Sequence, residues 1–185
     1  MSCLALVFGG SCTLGFITGP LHKAWNTEDW NTIVNLTLVP YGNARMSLGK
    51  VSCQHGEEEC EGNRWEQCAI AHYPDATEYF PFYYCMESEG DNMLKHVKDC
   101  ASKANMDYDT LSTCYNSKES DELQKKAAEM TPSDHQYVPW VLVNGEKSPS
   151  DGDQILEEVC NAYKGTPPKA CSSLQKSKNW KRCTM

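Results

Sequence analysis

The sequence predicts an α/β fold with a large helical, disulfide-rich insertion, and three observations lead to that prediction. Apolar segments typical of strands lie near both ends of the chain. A long region with short helical patterns separates them. Eleven cysteines are spread over the 185 residues, which is typical of a disulfide framework formed in an oxidising compartment.

The first part of the chain predicts a strand–helix–strand unit. Residues 4–8 are a short apolar strand, and a helix is expected from residue 12 to about residue 25. Gly19-Pro20 should kink or split that helix, because proline lacks the backbone donor that a helix interior needs. Residues 33–39 alternate and are rich in β-branched side chains, so they predict a second strand. Strands joined in this way are parallel.

The middle of the chain predicts a helical insertion over residues 53–130. It holds six of the cysteines. Helical patterns cover residues 65–72, 77–86, 92–103 and 119–130, and the last is mostly polar. We therefore expect that last helix to lie on the surface.

The chain then returns to strand patterns. Residues 141–143 predict a strand, Asn144-Gly145 predicts a type I′ hairpin turn, and residues 146–148 predict a weak partner strand. Ser150 is expected to cap a helix over residues 151–163, with Gly165 just past its end. Together these elements predict one compact domain with a thioredoxin-like layout. Its parts are a first half (1–52), the insertion (53–130), a second half (131–165) and a basic tail (166–185).

Charge and composition exclude several classes of function. The net charge of −8 and the pI near 5.1 argue against nucleic acid as a partner. No apolar run approaches the ~20 residues that a membrane span needs. The sequence has no P-loop, no dinucleotide fingerprint and no His-Glu-x-x-His site, so we expect no cofactor and no metal.

Two features predict passage through the secretory pathway. The cysteine content is one, and the other is the sequon Asn35-Leu36-Thr37, which predicts N-glycosylation of Asn35. Met1 lies directly against a strand-like segment, which we interpret as a mature chain whose leader has been removed. The protein is expected outside the cell or in the endosomal or lysosomal lumen.

Residues 53–68, CQHGEEECEGNRWEQC, are the most specific motif of the sequence. The motif resembles the signature of the gamma-interferon-inducible lysosomal thiol reductase (GILT) family. The segments NLTLVPYGNA before it and YVPWVLVNG after it look like the same family. The signature's fixed residues fall on Cys53, Gln54, His55, Gly56, Glu59, Cys60, Asn63 and Cys68.

The resemblance implies a thioredoxin fold and reduction of protein disulfides in acidic endosomes or lysosomes, or after secretion. It also implies a Cys-x-x-Cys active site after the first strand, which falls on Cys12 and Gly15. Cys12 begins a helix, where a thiolate is stabilised and can attack a disulfide. Gly15 has no sulfur to resolve the mixed disulfide that this attack forms. The active site is therefore degenerate.

The signature cysteines predict structural disulfides rather than chemistry. Cys53, His55, Cys60 and Cys68 could together hold zinc, but their spacing is unusual and the compartment favours disulfides. We interpret His55 as a hydrogen-bonded structural histidine. The structural disulfide candidates are Cys53, Cys60, Cys68, Cys85, Cys100, Cys114, Cys160, Cys171 and Cys183.

The odd number of cysteines leaves one thiol free or available for a disulfide-linked dimer. Cys3 is a poor resolving partner for Cys12, because five strand residues separate them by about 16 Å. A disulfide needs α-carbons within about 7 Å. Cys3 is instead expected to be structural or intermolecular.

Val138-Pro139 precedes the third strand, where thioredoxin-like proteins carry a cis proline that faces the active-site turn. We expect a cis bond here and a groove that can hold a peptide.

Three hypotheses for function follow. The first is a non-catalytic protein that binds a protein partner, and the second is a monothiol disulfide reductase that uses Cys12 with an external thiol. The third and weakest is a cysteine hydrolase that pairs Cys12 with His22, His55, His72, His96 or His135.

Overall fold

The computed structural model describes residues 2–8, 11–172 and 174, and of residues 2–8, 11 and 12 it describes the backbone only. The predicted α/β class is confirmed. A four-stranded sheet consists of β1 (Ser2–Phe8), β2 (Val34–Pro40), β5 (Trp140–Val143) and β6 (Glu146–Lys147), in the order β2-β1-β5-β6. β1 is parallel to β2 and antiparallel to β5.

The connection between the two parallel strands is helical, as predicted. It consists of α1 (Ser11–Phe16), a π-helical segment (Ile17–Leu21) and α2 (His22–Trp25), followed by a 3₁₀ turn before β2. Pro20 lies inside the π-helical segment. The helix is therefore altered at Gly19-Pro20 because proline removes one donor from the regular hydrogen-bond ladder.

A second, two-stranded sheet was not predicted. It consists of β3 (Arg45–Ser47) and β4 (Lys50–Ser52), joined by Leu48 and Gly49 at positive φ angles of 50° and 77°. The strands are short and mostly exposed. They therefore lack the apolar alternation by which a strand is recognised in a sequence.

Helices make up the middle of the chain, and two corrections to the prediction apply there. The first helix starts at Glu57 rather than at residue 65, because the acidic side chains of its first turn suit the positive end of the helix dipole. The helix over Tyr108–Tyr115 was not predicted at all. The five helices are α3 (Glu57–His72), α4 (Ala76–Ser88), α5 (Met93–Lys103), α6 (Tyr108–Tyr115) and α7 (Lys118–Met130).

The expectation that α7 is a surface helix holds for only part of its circumference. Ser120, Gln124 and Ala127 are buried, and α7 packs against α3. Small and polar side chains can face a helix–helix contact when they are hydrogen-bonded, as Ser120 is to Arg64 at 2.7 Å. The sequence did not predict this contact, because most side chains of α7 are polar.

Disulfides fix the helical region and the end of the chain. The pairs are Cys53–Cys60, Cys68–Cys114, Cys85–Cys100 and Cys160–Cys171. The disulfide prediction is thus confirmed for eight cysteines, whereas Cys183 lies outside the described residues. The zinc alternative is wrong, because its three sulfur ligands are engaged in disulfide bonds.

The hairpin at the end of the sheet matches the prediction, but the last helix does not. Asn144 and Gly145 have φ angles of 52° and 85°, as a type I′ turn requires. The helix α8 (Ile155–Ala162) begins four residues later than predicted. Asp151 and Gly152 have φ angles of 53° and 95°, which no α-helix contains. The hydroxyl of Ser150 instead accepts from the Gln154 amide at 2.9 Å.

Two groups of buried apolar residues hold these layers together. The larger lies among the sheet, α3, α4 and α8, and includes Trp30 and Phe82, both fully buried. The smaller lies where β2 ends and β5 begins, and consists of Val39, Tyr41, Ala44, Ala127 and Trp140. It fixes α7 to the end of the sheet. Among the described helices, none is long and apolar enough to span a membrane.

Candidate functional site

The sheet brings the predicted active-site turn and Pro139 to the same end. β1 ends at Phe8, and Cys12 lies in the first turn of α1. Val7 of β1 is opposite Trp140 of β5, so the residue before Trp140 lies next to the end of β1. The Val138–Pro139 bond is cis, as expected. The side chain of Cys12 lies outside the described part of the structure.

Gly15 is the residue on which the family resemblance predicts a resolving cysteine. The residue is exposed, and a Cβ built on its backbone would have no atom of the described residues within 4 Å. The described neighbours therefore leave room for a β-carbon and do not require glycine here.

The described side chains supply no second thiol to the turn. Eight cysteines are present among them, and all eight form disulfides. Cys3 is within β1, opposite Asn35, at the far end of the strand from α1. The side chain of Cys3 and the whole of Cys183 are outside the described residues.

The signature begins with a closed loop of backbone. The disulfide Cys53–Cys60 joins α-carbons 5.6 Å apart and ties the loop to the first turn of α3. Gly56 precedes α3 and has a φ of 100°, a backbone angle that residues other than glycine rarely adopt. Gln54 Oε1 accepts from Asn43 Nδ2 at 2.8 Å. The signature's glycine and glutamine thus fix the entry into α3.

The other polar residues of the signature form a short network. Glu59 Oε2 accepts from the His55 amide at 2.7 Å and lies 3.0 Å from His55 Nδ1. Asn63 is buried, and its side-chain amide donates to the Tyr41 carbonyl at 3.5 Å. His55 is therefore hydrogen-bonded, as interpreted from the sequence.

A cavity of about 220 Å³ lies between this network and the active-site turn. Leu14, which is between Cys12 and Gly15, forms part of its wall. His55, Glu59 and Asn63 of the signature line it as well. The remaining lining residues come from α3, α4, α5 and the segments before them: Glu58, Glu66, Glu87, Gly90, Asp91, Met93 and Leu94.

Two buried carboxyl groups line this cavity, and the sequence did not predict them. Glu66 is 2% exposed and Glu87 is 6% exposed. Burial, together with the nearby Glu87 carboxylate, raises the pKa of Glu66 well above its ordinary value. Burial, and then the charge of Glu59, raises the pKa of Glu87 to about 8. A glutamate in a helix normally faces solvent. The one sequence signal of a buried position concerns Glu87, which follows Tyr79 and Tyr83 at four-residue spacing and so lies on the same face of α4.

The histidines make contacts of their own. His22 stacks on Tyr84 at 3.9 Å, and His96 lies 3.6 Å from Glu89. His135 contacts the Pro132 carbonyl through Nδ1. His55 lines the same cavity as Leu14. Because the Cys12 side chain lies outside the described residues, the hydrolase hypothesis remains a prediction.

One group of metal-ligating side chains lies far from the turn. His72, Cys114 and Glu119 bring ligand atoms within 4.8 Å of one another. The sulfur of Cys114, however, is bonded to Cys68. It has no thiolate to offer a metal in this state.

Two other predicted features lie on the surface. Asn35 is exposed on β2, an edge strand of the sheet, where a glycan would have room. In the basic tail, Lys169 pairs with Glu28 at 2.7 Å, and Cys171 is bonded to Cys160. The other cations of the tail, at positions 176–182, lie outside the described residues.

Comparisons with known proteins agree with the signature. A family model described as gamma interferon inducible lysosomal thiol reductase (GILT) matches residues 9–104. The gamma-interferon-responsive lysosomal thiol protein of Arabidopsis thaliana is 38% identical over 85% of this chain and 69% of its own length. The gamma-interferon-inducible lysosomal thiol reductase of Mus musculus is 36% identical over 91% of this chain and 69% of its own length.

A relative from an insect extends the match. GILT-like protein 2 of Drosophila melanogaster is 32% identical over 80% of this chain and 73% of its own length. The match thus reaches well beyond the signature, and includes the turn that carries Cys12 and Gly15. The chain therefore belongs to the gamma-interferon-inducible lysosomal thiol reductase (GILT) family.

Proposed function

We propose that this chain is a thioredoxin-like GILT-family protein that has lost dithiol disulfide-reductase activity and binds a protein partner. The thioredoxin-like assignment is supported by the sheet order β2-β1-β5-β6, with one parallel and two antiparallel pairings. It is also supported by the cis Pro139 beside the turn that carries Cys12.

The observation that carries the proposal is the open position at Gly15. A dithiol reductase first forms a mixed disulfide with its substrate, and a second thiol three residues on then displaces the substrate. Gly15 lacks that thiol, and the eight cysteines with described side chains are already oxidised. A partner joined to Cys12 would stay joined until another molecule released it.

The rest of the scaffold supports a retained binding role. Val138 and Trp140, on either side of Pro139, pack in the smaller apolar group and so hold the loop in place. The partner we propose is a protein, in particular one that carries a disulfide. The four disulfides and the lysosomal names of the relatives support a secreted or endolysosomal location.

A monothiol disulfide reductase is the second candidate, favoured by the position of Cys12 in the first turn of α1. In that reaction the Cys12 thiolate attacks a substrate disulfide, and one substrate sulfur leaves as a thiolate that takes up a proton. An external thiolate then attacks the Cys12 sulfur, and the second substrate sulfur leaves as a thiolate that takes up a proton. A second external thiolate attacks the small-thiol sulfur now bonded to Cys12, forms a disulfide with it and releases the Cys12 thiolate. Two small thiols are oxidised for each disulfide reduced.

One assay separates the candidates. The parent protein and Cys12→Ser are compared for turnover of a disulfide substrate with a small-thiol donor at pH ~4.5 and ~7. We expect the parent and Cys12→Ser both to match the uncatalysed rate. Turnover by the parent that disappears in Cys12→Ser would contradict the binding role and establish the monothiol enzyme.

A further inference from the structure

The cavity beside the active-site turn combines an apolar wall with an acidic interior. Leu14, Met93 and Leu94 form the apolar part, whereas Glu58, Glu59 and Asp91 add carboxyl groups to those of the buried Glu66 and Glu87. No lysine or arginine is among the described residues that line it. A basic side chain contacts only one of these acids, since His55 Nδ1 lies 3.0 Å from Glu59 Oε2, and the described lining gives the other carboxyl groups no basic partner.

Two carboxylate oxygens in this cavity have no hydrogen-bond donor. They are Glu59 Oε1 and Glu66 Oε1, which accept no bond from the described residues. The Glu59 side chain is 8% exposed, and Glu66 is 2% exposed. A buried acceptor without a hydrogen bond destabilises the fold. A ligand that donates a hydrogen bond to one of these oxygens therefore gains binding free energy from a bond that the protein alone does not make.

The shape of the site favours one class of ligand. An alkyl chain would lie against Leu14, Met93 and Leu94, and an ammonium group at its end would donate up to three hydrogen bonds to the acids. A metal ion fits less well, because among the described residues no three metal-ligating atoms of this cavity lie within 4.8 Å of one another. The volume of about 220 Å³ can hold such a chain.

The position of the cavity points to the source of that ligand. Leu14, which lines the cavity, lies between Cys12 and Gly15, so a polypeptide bound at Cys12 would lie close to the cavity. The net charge of −8 attracts cationic segments over longer distances. We propose that the cavity binds the alkylammonium group of a lysine side chain that the protein partner carries close to its reactive cysteine. This inference rests on the proposed binding function.

Two disulfide-containing peptides that differ at one position test the proposal. One has lysine next to its cysteine and the other has norleucine, which keeps the alkyl chain and removes the charge. Calorimetric titration of the parent protein should show binding of the lysine peptide at least about tenfold tighter, because a hydrogen bond to a charged group is worth that much. Equal affinity for the two peptides would overturn the proposal.

Variants locate the effect in the cavity. The ratio of the two peptide affinities should fall in Glu59→Gln. It should also fall in Asp91→Asn, which changes an exposed residue that lines the cavity. Glu129→Gln removes a charge from the exposed side of α7 and should leave the preference unchanged. A preference that survives both cavity variants, or that falls equally in Glu129→Gln, would contradict the assignment.

A peptide-free arm separates this inference from the proposed function. n-Pentylammonium should raise the melting temperature of the parent more than n-pentanol does, and Glu59→Gln should lose the difference. If the amine has this effect but neither peptide binds, the polypeptide source is wrong, and the proposed function fails with it. If the amine has no effect, the inference is overturned, and the Cys12→Ser comparison still decides the proposed function.

Discussion

The active-site turn and the signature region differ in how tightly the fold constrains their residues. In the signature, Cys53 and Cys60 are bonded to each other, Glu59 accepts from His55, and Gly56 has a backbone conformation that favours glycine. In the turn, Gly15 is exposed, and none of the described residues lies within 4 Å of where its Cβ would be. Described neighbours therefore constrain the signature residues more tightly than they constrain Gly15. Under the proposed function, a change at Gly15 alters the chemistry of the turn and leaves the scaffold intact.

The largest effect is expected when a disulfide of the helical region is removed. Cys68→Ala combined with Cys114→Ala opens a disulfide with a sequence separation of 46, and the unfolded chain then gains the entropy of that loop. We expect the free energy of unfolding to fall by about 4 kcal/mol. Denaturant titration measures it.

The matched control for that variant opens the signature's own loop. Removing Cys53 and Cys60, with a separation of 7, should cost about 2 kcal/mol. A cost below about 1 kcal/mol for the longer loop would show that the disulfides do not distinguish the helical region from the turn.

The buried carboxyls give the next effect, which depends on pH. Because the pKa of Glu87 rises from an ordinary 4.5 to about 8, its contribution to stability is fully present below pH 4.5 and is lost as the pH rises through 8. Glu59 and Glu66 are the acidic groups beside it, and Tyr83 lies one turn away on α4. Glu87→Gln should stabilise the protein above pH 8 by on the order of 3 kcal/mol and have little effect at pH ~4.5.

Thermal unfolding from pH ~4.5 to ~9 measures this difference. Glu129→Gln, on the exposed side of α7, is the control and should follow the parent at every pH. A Glu87→Gln variant that is less stable than the parent at pH ~9 would show that the Glu87 carboxylate is stabilised when it is ionised.

A third comparison concerns the glycine that packs on the end of α1. A Cβ at Gly152 would lie 2.3 Å from Phe16 Cε2, and its φ of 95° is unfavourable for a side chain. Gly152→Ala should therefore lower the free energy of unfolding by about 2–3 kcal/mol. Equal stability of Gly152→Ala and the parent in denaturant titration would mean that Phe16 moves aside at no cost.

The smallest effect is expected at Gly15 and has the opposite sign. Gly15 lies in α1 and is exposed, and the described residues place no atom within 4 Å of a new Cβ, so alanine should gain helix propensity without a clash. Gly15→Ala should raise the free energy of unfolding by about 0.5–1 kcal/mol. A decrease in stability, measured in the same titration, would show that the turn does require glycine.

The sequence predicted the parts of the fold whose signals are local. β1 and β5 are short apolar runs and β2 alternates, Asn144-Gly145 specifies the hairpin turn, and Pro20 specifies the altered helix. The start of α8 was misplaced because Ser150 resembles a helix cap, whereas Asp151 and Gly152 have positive φ angles that only the folded chain reveals.

The candidate site was predictable only along the chain. Cys12, Gly15 and the signature are visible in the sequence. That Leu14, between Cys12 and Gly15, shares a cavity with residues of the signature depends on how α1, α3, α4 and α5 pack. The burial of Glu66 and Glu87 is likewise a tertiary effect. The four-residue spacing of Tyr79, Tyr83 and Glu87 indicates a buried face for Glu87, but it does not reveal the cavity that both acids line.

The most direct test of this account restores the missing sulfur. Gly15→Cys is compared with the parent, and with Gly15→Cys combined with Cys12→Ser, for reduction of a protein disulfide in the presence of a small thiol. We expect Gly15→Cys to turn over at least about tenfold faster than the parent, because the second thiol resolves the mixed disulfide. The combined variant should match the parent. A well-folded Gly15→Cys protein without activity would contradict the claim that only one sulfur separates this scaffold from the reaction.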